Sequence, residues 1–355
     1  MKKILLASSA LALTASVAAA EVTVGGDAYY GIAYTDVDGV YQKGTNGEDT
    51  DYSFVYDLDI DFTASGESDG GLIFGANIDA DDTPGAQGTV GFNGTVFVTG
   101  EFGQLAMGDT GGAAEEVNGD LPGNVSLTGN GDFNENIYLL SAGDPSCEED
   151  NPNCNGGQGP LALYTYDIAG FTGAVGLNDE EGYSLGAAYD GGLWNVALGY
   201  ESVLGGSTIT IFDTDLPIGN DGDLTIATDP DGNRIDHIIG SVGVGVAGVA
   251  VTGTYGYLEY REVGAPTREH TEQWGIGAEY TFDAVTLGIF YRALDPSTLD
   301  NTYFVGGGVS YDLGGGLAIV AGVTYADITV PSNDDPSVIV SDDGTFFDFG
   351  LDFAF

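Results

Sequence analysis

Residues Thr345 to Phe355 read TFFDFGLDFAF and end the chain. Counted back in steps of two, Phe355, Phe353, Leu351, Phe349 and Phe347 fall on one side of an extended segment, and Ala354, Asp352, Gly350, Asp348 and Phe346 on the other. Strict alternation of this kind describes a β-strand with two unlike faces. In a soluble sheet the aromatic face would meet a core, yet this strand comes last and no later segment is there to cover it. Lipid is the alternative cover.

The same period recurs along the chain. Val22, Val24, Gly26, Ala28, Tyr30, Ile32 and Tyr34 form one row, and Phe54, Tyr56, Leu58, Ile60 and Phe62 another. Trp274, Ile276, Ala278, Tyr280 and Phe282 form a third, followed by Val285, Leu287, Ile289 and Tyr291. Between such segments, very short turns (67–70, 101–103, 169–170, 190–192, 247–248, 283, 313–316) alternate with longer connections (36–51, 81–91, 109–160, 202–235, 262–271, 294–301, 330–344). Only 178–182, where a long connection is expected, is short. The census predicts sixteen antiparallel strands, an all-β transmembrane barrel with long loops at one end and tight turns at the other. A soluble β-sandwich would alternate as well, but tyrosines and phenylalanines near so many strand ends suit the aromatic girdles of a membrane barrel.

Residues 1–20 carry Lys2 and Lys3, an apolar stretch from Ile4 to Val17, and Ala18-Ala19-Ala20 ahead of Glu21. That is the pattern of a secretory signal peptide, so residues 21–355 are expected to form the exported barrel. Two of the seven Lys and Arg lie in this leader, leaving five against 55 Asp and Glu. Such a charge argues against both nucleic acid and anionic lipid headgroups as direct partners. Disorder is opposed by 43% apolar residues, 20 Tyr and 17 Phe, while 59 glycines and eleven prolines point to a turn-rich β fold. Cys147 and Cys154, separated by six residues, are the only cysteines, and export to an oxidising compartment favours a disulfide within the loop over a metal pair.

Three passages resemble the general bacterial porins, in particular the trimeric alphaproteobacterial type: GTVFVTGEFGQLAMGD (Gly94–Asp109), LALYTYDIAGF (Leu161–Phe171) and YDLGGGLAIVAGV (Tyr311–Val323). The resemblance implies an outer-membrane channel with three barrels to a trimer, lipid around it, and a third loop that folds into the lumen and narrows it. By position that loop is 109–160. It implies too that the terminal strand, ending in Phe355, is read by the outer-membrane assembly machinery.

On this reading the constriction is built from Asp109, Glu115, Glu116, Asp120, Asp132 and Glu135 on the loop and from Asp57, Asp59, Asp61, Asp79 and Asp81 on the wall. Porins of this fold often set a cluster of arginines opposite the loop, whereas here Arg292 is the one basic residue whose strand phase places it inside. Carboxylates spaced by two form a ladder on one face, which raises local cation concentration and repels anions, so cation selectivity is expected. General solvation in a saline habitat explains acidic loops equally well, and both readings stand at this point.

No cofactor is required, although the carboxylate-rich segments 213–223, 229–236 and 342–343 make structural calcium a candidate ligand. GESDG at Gly66–Gly70 matches the hydrolase elbow G-x-S-x-G in letters but sits between two strands, without a His partner. His237 and His270 read as isolated, solvated rim residues. A barrel with a surface-binding or enzymatic role is the alternative function, and no paired nucleophile and base supports it.

Overall fold

The computed structural model describes residues 21–37, 42–43, 49–50, 52–81, 93–129, 133–140, 161–178, 182–204, 208–212, 224–227, 234–261, 267–331 and 339–355. The leader, Asp132, Cys147 and Cys154 lie outside them. Twenty strands and one short helix occur within this set. First come β1 (Glu21–Val37), the two-residue strands β2 (Gln42–Lys43) and β3 (Asp49–Thr50), β4 (Tyr52–Glu67), β5 (Ile73–Asp81), β6 (Asn93–Gly100) and β7 (Gly103–Gly108). Helix α1 (Ala113–Asn118) precedes β8 (Leu161–Ile168), β9 (Phe171–Leu177), β10 (Tyr183–Asp190) and β11 (Trp194–Leu204). After the small pair β12 (Thr208–Phe212) and β13 (Leu224–Ala227) come β14 (Arg234–Val246), β15 (Val249–Tyr260) and β16 (Glu269–Phe282). The chain ends with β17 (Val285–Pro296), β18 (Thr302–Gly314), β19 (Leu317–Pro331) and β20 (Ile339–Ala354).

Sixteen of the strands close into one antiparallel barrel, each beside its neighbour in sequence, while β2–β3 and β12–β13 are separate two-stranded pairs. Closure is made by β1 and β20, in register from Asp27–Ala354 to Val37–Gly344. Phe355 extends the seam: its N–H donates to Gly26 O and its carbonyl accepts from Gly26 N, both at 3.0 Å. A closed sheet has no edge, and that is the condition for burying strands in hydrocarbon.

The tight turns are formed by residues that accept positive φ. Ala169-Gly170 and Ala247-Gly248 are left-handed at both positions (51° and 85°; 52° and 85°), the type I′ geometry whose twist matches that of the flanking strands. GESDG lies in the hairpin between β4 and β5, where the Ser68 hydroxyl accepts from Leu72 N at 3.0 Å. Each predicted apolar row is exposed: Val22, Val24, Tyr30 and Ile32 on β1, Phe54 and Tyr56 on β4, Trp274 and Ile276 on β16, Phe347 and Phe349 on β20. The opposite face is mostly covered. No described helix is long and apolar enough to cross a membrane.

Candidate functional site

The segment that follows β7 runs along the face opposite the exposed rows. Gly112 N donates to Leu140 O at 2.9 Å, tying together the two ends of the described part of the loop. Helix α1 then sits on β9, β10 and β11. Ala113 N donates to the buried Ser184 hydroxyl at 2.7 Å. The helix backbone lies so close to the wall that a Cβ on Gly186 would overlap the Ala113 carbonyl, and one on Gly199 the Ala114 side chain. The helix stops at Gly119, whose φ of 59° favours glycine.

Residues 121–127 cross the next strands one after another. Pro122 lies over Gly277 of β16, Gly123 over Gly288 of β17, Val125 over Gly308 of β18, Ser126 over Gly322 of β19, and Leu127 over Gly350 of β20 and Gly31 of β1. At the end of this track the fully buried Asp348 accepts from Thr128 N (2.9 Å) and Thr128 Oγ1 (2.8 Å) with one oxygen and from Gly322 N (2.9 Å) with the other. Asp348 is thus a seat for the loop.

The return of the loop is fixed by three buried side chains on three strands. Glu201 of β11, with no exposed surface, accepts from Leu139 N (2.8 Å), Leu140 N (3.2 Å) and His237 Nδ1 (2.9 Å). Gln273 of β16 pairs with the backbone of Ile137, accepting its N–H at 2.8 Å and donating to its carbonyl at 3.0 Å. That fixes the amide, so its second N–H points at His237 Nε2, 3.0 Å away, which has to accept. The His237 proton therefore sits on Nδ1, facing Glu201. The expectation of a solvated rim position for His237 is overturned: it is 1% exposed, because its strand phase turns it away from the apolar row and under the loop. His270, by contrast, stacks on Tyr257 at 5.3 Å on the outward face. Apolar packing completes the seat: Phe133 stacks on Phe304 at 4.6 Å and meets Phe346 at 5.4 Å, within a cluster that includes Ile137, Leu139 and Leu140. Phe346, the one aromatic on the small or acidic face of the terminal strand, is explained by this contact.

The loop carboxylates divide by environment. Glu115, on α1, is pushed from its ordinary 4.5 up to about 7 by burial, with Asp120, Glu201 and Glu116 repelling its charge. Its Oε2 has no hydrogen-bond partner among the described residues. Glu116 and Asp120 are raised too, chiefly by burial, although the Asn136 N–H at 2.9 Å and the charge of Arg292 hold Asp120 back. Glu135 is exposed, and Asp109 closes β7 with its N–H on Gly94 O at 3.1 Å. Because the folded value of Glu115 lies above the unfolded one, its contribution to stability is complete below about pH 4.5 and is lost as pH rises through about 7. Glu115→Gln is accordingly expected to flatten the fall in apparent Tm between about pH 4.5 and 7. A parent-like slope in the variant would assign that fall to other groups.

Arg292 of β17 lies on the predicted face but is only 3% exposed, its guanidinium 5.7 Å from the Phe304 ring centre and under the influence of Glu135 and Asp120. On the far side of the barrel, the backbone register sets Asp27, Asp59 and Asp81 in one lateral row across β1, β4 and β5, with Asp61 beside Asp79 and Asp57 beside Tyr29 in adjacent rows. Asp57, Asp59 and Asp61 are half-buried, and Asp57 accepts from Leu58 N at 3.0 Å. Among the described residues, the contacts of 112–129 and 133–140 include β8 to β11, β14 to β20 and β1. No described group of three or more His, Cys, Asp and Glu is gathered as a metal site. Glu201, Gln273, Ser184 and Asp348 were not anticipated as loop seats.

The sixteen-stranded barrel is shared with known proteins. Residues 7–329 match the family model described as Gram-negative porin. A porin of Rhodobacter capsulatus is 31% identical over 345 residues, 93% of this chain and 100% of its own length. A porin structure refined at 1.8 Å superposes with a TM-score of 0.67 at 28% identity, covering 94% of this chain and all of the other. An anion-selective porin from Comamonas acidovorans shares the fold, with a TM-score of 0.64 at 15% identity over 95% of this chain and all of its own. The chain belongs to the Gram-negative porin family, channel proteins of the outer membrane.

Proposed function

We propose that the chain forms a water-filled channel for passive diffusion of small hydrophilic solutes, constricted by residues 109–160 lying in the lumen, and that it prefers cations. The observation that carries this reading is the arc of loop contacts. Among the described residues the loop is seated on β8 to β11, β14 to β20 and β1, which leaves β4 to β7, with Asp57, Asp59 and Asp61 on β4 and Asp79 and Asp81 on β5, as the remaining wall. Arg292, buried under the loop, is withdrawn from that passage. An eyelet bordered by carboxylates on both sides, with its one cation covered, attracts cations and repels anions. The same reading includes a homotrimer in outer-membrane lipid, export by residues 1–20, a disulfide between Cys147 and Cys154, and recognition of the terminal strand during assembly.

The test is the reversal potential across a planar bilayer under a KCl gradient. Cation preference is expected, and the triple change Asp57→Asn, Asp59→Asn, Asp61→Asn should lower the cation-to-anion permeability ratio by roughly three-fold. Anion preference in the parent channel would sink the selectivity reading. An unchanged ratio in the triple variant would move the selectivity from the wall to the loops.

A further inference from the structure

Arg292 is a cation placed under the loop. On β17 its neighbours two places away on the same face, Phe290 and Leu294, are buried with it. Its register partners are Gly275 on β16 and Phe304 on β18. The first leg of the loop crosses Gly275, where a Cβ would overlap the Leu121 side chain and stand 3.4 Å from Arg292 Cα. The returning leg crosses Phe304, on which Phe133 stacks at 4.6 Å. Arg292 thus lies between the two legs. They are laced together close by: Leu121 N donates to Asn134 O at 3.2 Å, Asn134 Nδ2 to Leu121 O at 2.7 Å, Asn136 N to Asp120 Oδ1 at 2.9 Å, and Tyr138 OH to Gly119 O at 2.7 Å. Asp120 on the first leg and Glu135 on the second are exposed, and both act on the charge of Arg292.

A charge is costly to bury among apolar side chains unless other groups answer it. The Phe304 ring, 5.7 Å from the guanidinium, is one such group, yet Arg292 Nε has no hydrogen-bond partner among the described residues. Packing alone would be served by an apolar side chain of similar volume. What the arginine adds is charge, and Asp120 shows where that charge is felt. Desolvation raises Asp120 above its ordinary value, and the Asn136 N–H and the charge of Arg292 both draw it back. Glu115 on α1 and Tyr138 on the returning leg also face Asp120, Glu115 as a like charge. Among the described residues, Arg292 is the only positive group that acts on Asp120.

We propose that Arg292 is a positioning residue of the constriction, whose buried charge joins the two legs of the loop and keeps Asp120 a carboxylate at the border of the passage. The inference rests on the reading that residues 109–160 narrow the channel. It reverses the sense of the inward arginine: covered from the solutes, Arg292 acts on them through Asp120 and so favours cations.

Arg292→Met keeps most of the volume and removes the charge. The cation-to-anion permeability ratio of the full-length channel is measured in planar bilayers at about pH 6 and at about pH 8. At the lower pH the variant is expected to show about half the parent's ratio, and at the higher pH a ratio no lower than the parent's, because Asp120 is then ionised without help. Arg292→Lys, which restores a charge, is expected to recover the parent's ratio at the lower pH. Arg292→Met/Asp120→Asn should depend on pH no more than Asp120→Asn does. Glu115, raised to about 7, titrates in the same window in every one of these channels, so variants are compared with the parent at one pH. A ratio raised at both pH values would mean that Arg292 acts directly on passing ions, and a ratio lowered equally at both would make it a structural support for the loop. Either result overturns the proposal, as does an unchanged ratio. If Arg292→Met does not fold, Asp120→Asn decides: it is expected to lower the ratio at the lower pH as it does at the higher, and silence at the lower pH overturns the proposal. These differences are read whichever ion the parent prefers, so they stand or fall apart from the cation preference itself.

Discussion

Glu201→Ala is expected to lower stability by about 3–5 kcal/mol and to raise both the conductance of the channel and its current noise relative to the parent. The size follows from what the carboxylate holds. It accepts from two backbone N–H groups, those of Leu139 and Leu140, and from His237 Nδ1, all in a site closed to solvent. Removing it leaves three donors without acceptors in a place water does not reach, and each such orphan costs about 1–3 kcal/mol. The His237 ring and the Gln273 amide would lose their orientation next, because Gln273 donates to an imidazole nitrogen that stays an acceptor only while the proton is on Nδ1. Glu201→Gln keeps one acceptor and is expected to be the milder change. With only two histidines in the chain, ¹⁵N spectra of labelled protein can follow the tautomer directly. The parent should show His237 neutral and protonated at Nδ1, and Glu201→Gln should shift that signal while leaving His270 in place. A parent spectrum with the proton on Nε2 would remove the basis for the chain of contacts from Gln273 to the loop. Parent-like noise and conductance in a folded Glu201→Ala channel would show that residues 137–140 do not border the passage.

How much of this could be read from the sequence depends on the range of the interaction. Period-two alternation is a local property of each strand, and it placed sixteen strands, their outward rows and nearly all the tight turns. The phase of Glu201 and His237 was legible in the same way. On β11 the row Trp194, Val196, Leu198, Tyr200 is outward, so Glu201 must face the other side, and Ile238 gives the same answer for His237. What phase cannot supply is the occupant of that side. Leu139 comes from a loop 62 residues away from Glu201, and Thr128 lies 220 residues from Asp348. Lone polar residues on an inward face therefore read as solvated, although the loop covers them. Glycine misled most. A count of 59 suggests turns, yet many of these residues lie in strand interiors, where no turn requires them.

Their place is explained by the track under residues 121–127, and the explanation makes a second large prediction. Gly308→Val is expected to cost about 3 kcal/mol or more and to displace the loop, whereas Gly245→Val is expected to be nearly silent. Both glycines lie in strands on the face opposite the outward rows, so β-propensity favours valine equally at each, and neither has the positive φ that would strain it. They differ in what stands above them. A Cβ on Gly308 would overlap the carbonyl oxygens of Val125 and Ala321, two backbone atoms that cannot swing aside as a side chain would, while one on Gly245 meets nothing within 4 Å. The wall at Gly308 is fixed by its ladders to β17 and β19, so the strain falls on the loop, which would lift from β18 and draw on its anchor at Asp348. Thermal unfolding of the two variants, with single-channel records of each, separates the readings. A drop in apparent Tm with altered conductance at Gly308 alone identifies glycine as the spacing that lets the loop lie flat on the wall. Equal behaviour of the two variants would mean that the loop rests above the glycines without being set by them, and the seat would then depend on Glu201, Gln273, Ser184 and Asp348 alone.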